Sequence, residues 1–131
     1  MNNLLHKELT DVVLKAYFEV YNELGHGFLE KVYRNAMYFE LISQGLEVEI
    51  HQKIIVHYKG KKVGDYIADM IVNKTVILEL KANSILVKDN VLQLTNYLRA
   101  TPIEVGILLN FGAKPEIKRI IFTNDRKKLS H

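Results

Sequence analysis

The sequence predicts an α/β fold: a single domain in which a mixed β-sheet is flanked by helices. Three observations carry that expectation. Apolar residues recur at helical spacing over residues 7–24 and again from about 29 to 44. From Leu46 the apolar period changes to two and holds through Ala82. A further helical stretch, about Asn90 to Ala100, then separates two more strand-like runs. At 131 residues the chain has the length of one domain able to bury a real core.

In the first helix Leu9, Val12, Val13, Ala16, Val20 and Leu24 form the apolar stripe, and Gly25 can stop it. Gly25-His26-Gly27 is a connector. The second helix runs from about Leu29 to Gln44, with Gly45 as terminator. Its expected apolar stripe is Leu29, Val32, Ala36 and Phe39, with Glu30, Tyr33 and Met37 on a neighbouring face. Residues 46–50, 53–58, 63–72 and 75–82 read as strands, with turns at Lys59-Gly60-Lys61 and Asn73-Lys74-Thr75. The third helix starts at Asp89 or Asn90 and ends before Pro102. Residues 104–111 and 117–123 are the last two strands. The apolar run Val105 to Leu109 is typical of a strand covered on both faces. The order is α-α-β-β-β-α-β-β, with a core over about 7–123 and a tail over 124–131.

Hydrophobic residues make up 48% and charged residues 25%, an ordinary globular balance. There is no cysteine, so disulfides and thiolate metal sites are excluded, and any metal must be held by oxygen or histidine. Residues 1–8 lack the apolar core of a signal peptide, and no apolar run approaches the ~20 residues of a membrane span. The expectation is a cytoplasmic protein with no membrane partner. The net charge of +3 is only weakly basic. The densest basic groups, Lys59 with Lys61 and Lys62, and Arg126-Lys127-Lys128, read as a solvated turn and a frayed tail.

Chemistry concentrates in one hairpin. Along Val76 to Ala82, Val76, Leu78 and Leu80 point one way while Ile77, Glu79 and Lys81 point the other. With a three-residue or bulged turn at Asn73 to Thr75, Val72 pairs with Val76, Ile71 with Ile77 and Asp69 with Glu79. That register also gathers Met70, Val72, Val76, Leu78 and Leu80 on one apolar face, so the hydrophobic pattern selects it. Two acids across a strand pair repel unless a cation lies between them. A hard divalent ion such as Mg²⁺ suits them, and Lys81 beside it can orient water or stabilise a phosphoryl transition state. The competing reading is a surface Glu-Lys pair next to a turn aspartate.

Further residues fall where the same chemistry would use them. Gly27-Phe28-Leu29-Glu30-Lys31-Val32-Tyr33 places Glu30 in the first turn of the second helix, and Gln93 and Tyr97 stand at i and i+4 on the third. With Asp69, Glu79-Leu80-Lys81 and the segment from Gly106 to Gly112, the chain resembles the GxxExxY family of the PD-(D/E)XK nuclease superfamily, from about Leu9 to Thr123. The resemblance implies a restriction-endonuclease-like fold and a nuclease that hydrolyses nucleic acid, DNA in particular, using Mg²⁺ or Mn²⁺. It implies that Asp69 is the first acid, preceded here by Ala68 rather than proline, and that Glu79 and Lys81 are the second acid and the lysine. It further implies the Leu80 carbonyl and Glu30 as metal ligands. Gln93 and Tyr97 would match the Q-x-x-x-Y motif of RecB-like exonucleases, and Tyr33 would pack beside Glu30.

Each position also has a plain structural reading. Tyr97 can be a core aromatic with its hydroxyl at the rim, Glu30 can simply favour the helix dipole, and His26 can be a solvated turn residue. At the level of the whole chain, the alternative is a non-catalytic nucleic-acid-binding or assembly module on a nuclease-like scaffold. A short chain with exposed strand ends is also compatible with a homodimer.

Overall fold

The computed structural model describes residues 5–128. Two helices, α1 (Lys7–Leu24) and α2 (Glu30–Ser43), precede three strands, β1 (Val48–Tyr58), β2 (Lys61–Val72) and β3 (Val76–Lys81). Helix α3 (Lys88–Arg99) then crosses to β4 (Val105–Phe111), followed by β5 (Pro115–Ile121) and a 3₁₀ turn at Asn124–Arg126. The five strands form one sheet in the order β1-β2-β3-β4-β5. β3 and β4 are parallel and the other neighbours antiparallel, so the sheet is mixed, as expected. Among the described residues no helix is long and apolar enough to cross a membrane.

Helices cover both faces. On one side Val13, Ala16, Tyr17 and Val20 of α1 and Tyr33, Met37 and Leu41 of α2 pack on Met70, Val72, Val76, Leu78 and Leu80. On the other, Leu94, Tyr97 and Leu98 of α3 pack on Ile54, Ala68, Ile77 and Leu108. β4 lies between them and is buried along its whole length, the pattern its unbroken apolar run predicted. Gly106 on that strand gives α3 its close approach, since a Cβ there would come within 2.8 Å of the Leu94 side chain.

The structure corrects several local expectations. α2 turns a different face inward: Tyr33, Met37 and Leu41 are buried, while Leu29 and Phe39 are 79% and 70% exposed. Both stripes are apolar enough to serve. Tyr33 decides between them, because its ring stacks on Phe111 with centroids 4.2 Å apart. The strands expected at 46–50 and 53–58 are one strand, which begins at Val48 and runs through His51, where φ is +52°. Helix α3 begins earlier, at Lys88, where the Asn90 side chain accepts the Val87 N–H at 2.9 Å. β5 begins and ends two residues earlier than the 117–123 read from the sequence.

The basic tail is not frayed over its described part. Lys127 Nζ donates to the carbonyls of Thr101 (2.8 Å) and Ile103 (2.6 Å). Arg126 lies 4.3 Å over the Phe122 ring. Residues 129–131 of the expected tail lie outside the described residues.

Candidate active site

The β2–β3 turn has the length that the hydrophobic pattern required. Asn73 and Lys74 both take left-handed backbone (φ +51° and +53°), and the Thr75 N–H closes the turn on the Val72 carbonyl at 2.9 Å. Thr75 is the extra residue, so Val72 pairs with Val76, Ile71 with Ile77 and Met70 with Leu78. Beyond Met70 the backbone ladder stops. Asp69 and Glu79 are next in register, but each reaches across with its side chain. The Asp69 N–H donates to Glu79 Oε1 at 3.0 Å, and the Leu80 N–H donates to Asp69 Oδ2 at 2.9 Å. Two amides that lost their ladder partners are satisfied by two carboxylates.

This point is also where β2 changes face. Ala68 contacts the α3 side and Tyr66 lies 5.6 Å, ring to ring, from Tyr97 of α3, whereas Met70 and Val72 face α1 and α2. β1 switches in step: Ile54 faces α3 and Val48 faces the other core, with His51 between them. A break in the two-residue alternation on both strands sets Asp69 at the seam between the cores. From there its carboxylate meets residues of α2 and of β3 at once.

Glu79 is buried, at 3% exposure. Burial, and next the negative charge of Asp69, push its carboxyl up to about 8. Asp69 is held from the other side by Arg34, whose Nη1 lies 3.7 Å from Oδ1. Glu30, one turn before Arg34 on α2, also has its carboxyl pushed upward, first by burial; the charge of Asp69 adds to this, while Lys81 and Arg34 oppose it. Three carboxylates and two cations therefore share one field. Lys81 Nζ is 3.5 Å from Gln93 Oε1, which brings α3 into the cluster.

A chain of aromatic and amide contacts positions these groups. Tyr33 OH donates to the Gly25 carbonyl at 2.7 Å and accepts the Phe28 N–H at 3.2 Å, fixing the loop that leads into Glu30. Gly27 in that loop takes φ +111°, which favours glycine. Phe111, against which Tyr33 stacks, also meets Tyr17 at 4.8 Å. On the opposite flank the buried Asn110 accepts the Asn83 N–H and donates to the Asn83 carbonyl, both at 3.0 Å. Gly112 allows that contact, because a Cβ there would lie 2.6 Å from the Asn83 carbonyl oxygen. The segment after Lys81 is thereby pinned on its way to α3 and Gln93.

The fold thus brings Glu30, Asp69, Glu79, Lys81 and Gln93 into one cluster. Tyr97 sits differently. Its hydroxyl donates to the Ile67 carbonyl at 3.4 Å, and burial together with the charges of Glu79 and Asp69 pushes it up to about 12. It is a core aromatic whose rim feels the site. His26 is exposed in its loop. Arg34 was not anticipated; its spacing of four from Glu30 on α2 is the signal that places it on the same face.

The donors in this cluster are all oxygens, the chemistry a hard divalent cation prefers. Among the described residues, however, no three acidic or histidine side chains are already arranged as a metal cage. One oxygen of each central acid is engaged by backbone N–H, so a metal would draw on the remaining carboxylate oxygens.

A family model described as the PD-(D/E)XK nuclease superfamily matches residues 7–120. Among solved structures, the crystal structure of SSO0001 superimposes with a TM-score of 0.58 at 18% identity, over 71% of this chain and 50% of that one. At that identity the likeness is one of fold, and this chain spans about half the length of that protein. No curated protein matches the chain.

Proposed function

We propose, from the premise that this chain belongs to the PD-(D/E)XK nuclease superfamily, that it is a divalent-metal-dependent nuclease of the GxxExxY type acting on DNA. The observation that carries this reading is the cluster of Asp69, Glu79 and Lys81. Two acids are interlocked at the end of a ladder, Glu79 accepting the Asp69 N–H at 3.0 Å and Asp69 accepting the Leu80 N–H at 2.9 Å, with the lysine two residues on from Glu79. Two carboxyl groups buried side by side are costly for folding alone, the cost that pushes Glu79 toward its protonated form. The pair gains a purpose if a cation and a phosphate enter together.

Asp69 and Glu79 would hold Mg²⁺ or Mn²⁺, with Glu30 and the Leu80 carbonyl as further oxygen donors. The bound ion would lower the pKa of water and neutralise charge on the phosphoryl group. Lys81, 3.5 Å from Gln93, would orient the attacking water and stabilise the phosphate in the transition state. Tyr97 supports the site from beneath. The water oxygen attacks phosphorus, one P–O ester bond breaks, and the products are a phosphate monoester and an alcohol. Arg34 offsets the charge of Asp69 until the metal arrives.

The test is cleavage of linear, circular and single-stranded DNA by purified protein with Mg²⁺ or Mn²⁺. Activity that disappears with EDTA, with Glu79→Ala and with Lys81→Ala supports the proposal. No cleavage of any substrate, or variants as active as the parent, sinks it. Salt-sensitive DNA binding without turnover would instead favour a non-catalytic binding module.

A further inference from the structure

We propose that a cleft beside the C-terminal end of α3 is an anchoring subsite for a backbone phosphate of the nucleic acid, apart from the point of cleavage. The inference rests on the nuclease reading for its ligand and on separate residues for its geometry.

The cleft has a volume of about 590 Å³ and is lined by Arg99, Arg126, Lys127 and Lys128, with Tyr66, Phe122 and Asn96 among its walls. Among the described residues no carboxylate lines it. Its cations come from two distant parts of the chain and are held together by the fold. The segment after β5 is fastened by the Phe122 N–H to the Glu104 carbonyl (2.9 Å) and by the Asn124 N–H to the Glu104 carboxylate (2.8 Å). Lys127 completes the fastening through the Thr101 and Ile103 carbonyls.

The end of a helix carries about half a negative charge, which by itself repels an anion. Here Lys127 covers the carbonyls just past that end, and burial lowers its own affinity for a proton while Glu104 opposes that. Arg99, Arg126 and Lys128 remain as positive surplus. Arg126 is flattened on Phe122 and so leaves its guanidinium edge for a bidentate contact.

The cleft also adjoins the cluster of acids. Tyr66 in its wall is the ring that meets Tyr97 at 5.6 Å. Gln93, Asn96 and Arg99 follow one another in steps of three along α3, a ridge that rises about 9 Å from Gln93, which Lys81 contacts, to Arg99 in the cleft wall. A strand whose scissile phosphate lies at Lys81 would therefore place a neighbouring phosphate at the cleft.

The test measures binding of a fluorescein-labelled 20-nucleotide single strand without metal, by anisotropy over a series of salt concentrations. In the Arg99→Gln/Lys128→Gln double variant, the slope of log K against log salt should become shallower by about 0.7 to 1.4, the value for one to two phosphate contacts. Lys15→Gln, on the exposed side of α1, should leave the slope unchanged. If the double variant melts early, Lys128→Gln alone should still shift the slope by about 0.7. A variant slope equal to that of the parent, or a parent that binds no strand, overturns the anchor. A protein that cleaves DNA but shows no slope change remains a nuclease without this anchor. One that shows the slope change but never cleaves keeps the anchor and loses the nuclease reading.

Discussion

Asp69 and Glu79 face each other in register but are joined by exchange rather than by a backbone pair, each carboxylate accepting an amide from the other's strand at 3.0 Å and 2.9 Å. The interlock fixes both acids without using all their oxygens. Replacing Glu79 by Ala should abolish metal-dependent cleavage and leave the Asp69 amide without its acceptor. Lys81→Ala should reduce kcat by about 10² to 10³, the usual loss when one transition-state donor is removed. Single-turnover cleavage by each variant checks this, with thermal melting to confirm folding.

The raised carboxyl of Glu79 makes metal-free stability depend on pH. An acid that titrates near 4.5 when unfolded and about 8 when folded binds its proton more tightly in the native state. Its contribution is fully present below about pH 4.5 and is lost as pH rises through about 8. Glu30, shifted in the same direction, adds to the trend. In EDTA the parent should therefore melt at lower temperature at pH 8.5 than at pH 5. Glu79→Gln, which keeps an oxygen for the Asp69 amide, should flatten most of that difference.

Bound metal should reverse the trend. A divalent ion replaces the proton on Glu79, so its binding strengthens as pH rises. At one hundred times its dissociation constant it adds about 2.7 kcal/mol, or roughly 10 °C in Tm for a domain of this size. Differential scanning fluorimetry with Mg²⁺ and Mn²⁺ at pH 6 and pH 8 measures it. Glu79→Gln should lose most of the shift.

Arg34 is the cation that stands against Asp69 in the metal-free protein, at 3.7 Å with both side chains largely buried. Arg34→Gln should cost about 1–3 kcal/mol, between the loss of an exposed pair and that of a fully buried one. Part of that loss should return on adding Mg²⁺, because the metal supplies the missing positive charge. Urea denaturation with and without Mg²⁺ separates the two contributions.

Tyr33 positions rather than reacts, since its hydroxyl is committed to Gly25 and Phe28. Tyr33→Phe keeps the stack on Phe111 but removes those bonds, for a loss of about 1–3 kcal/mol. Loosening the loop before Glu30 should also raise the Mg²⁺ concentration needed for half-maximal cleavage. Tyr38→Phe, on the same helix but half-buried away from that loop, serves as the comparison.

Much of this was legible in the residues. The periods of 3.6 and 2 located the three helices and the strand regions, though they split β1 in two and set β5 two residues late, and the apolar parity of Met70, Val72, Val76, Leu78 and Leu80 selected the register that brings Asp69 opposite Glu79. These are local signals, carried by neighbours along the chain. Two apolar stripes on α2 were nearly equivalent in sequence, and the choice between them came from Tyr33 meeting Phe111, a contact between distant segments. The same kind of contact turned a basic tail into a cleft wall, through the bonds of Lys127 to Thr101 and Ile103.

The sequence by itself determined the order of elements and the identities of the acids, the lysine and the glutamine. Only the tertiary structure decided that β1 and β2 switch faces together at His51 and Asp69, and that Arg34 stands against Asp69. Periodicity reports which side of its own strand a residue faces, and carries no information about what another element brings to that side. Burial and charge at the seam depend on that second surface, which exists only once the helices have packed.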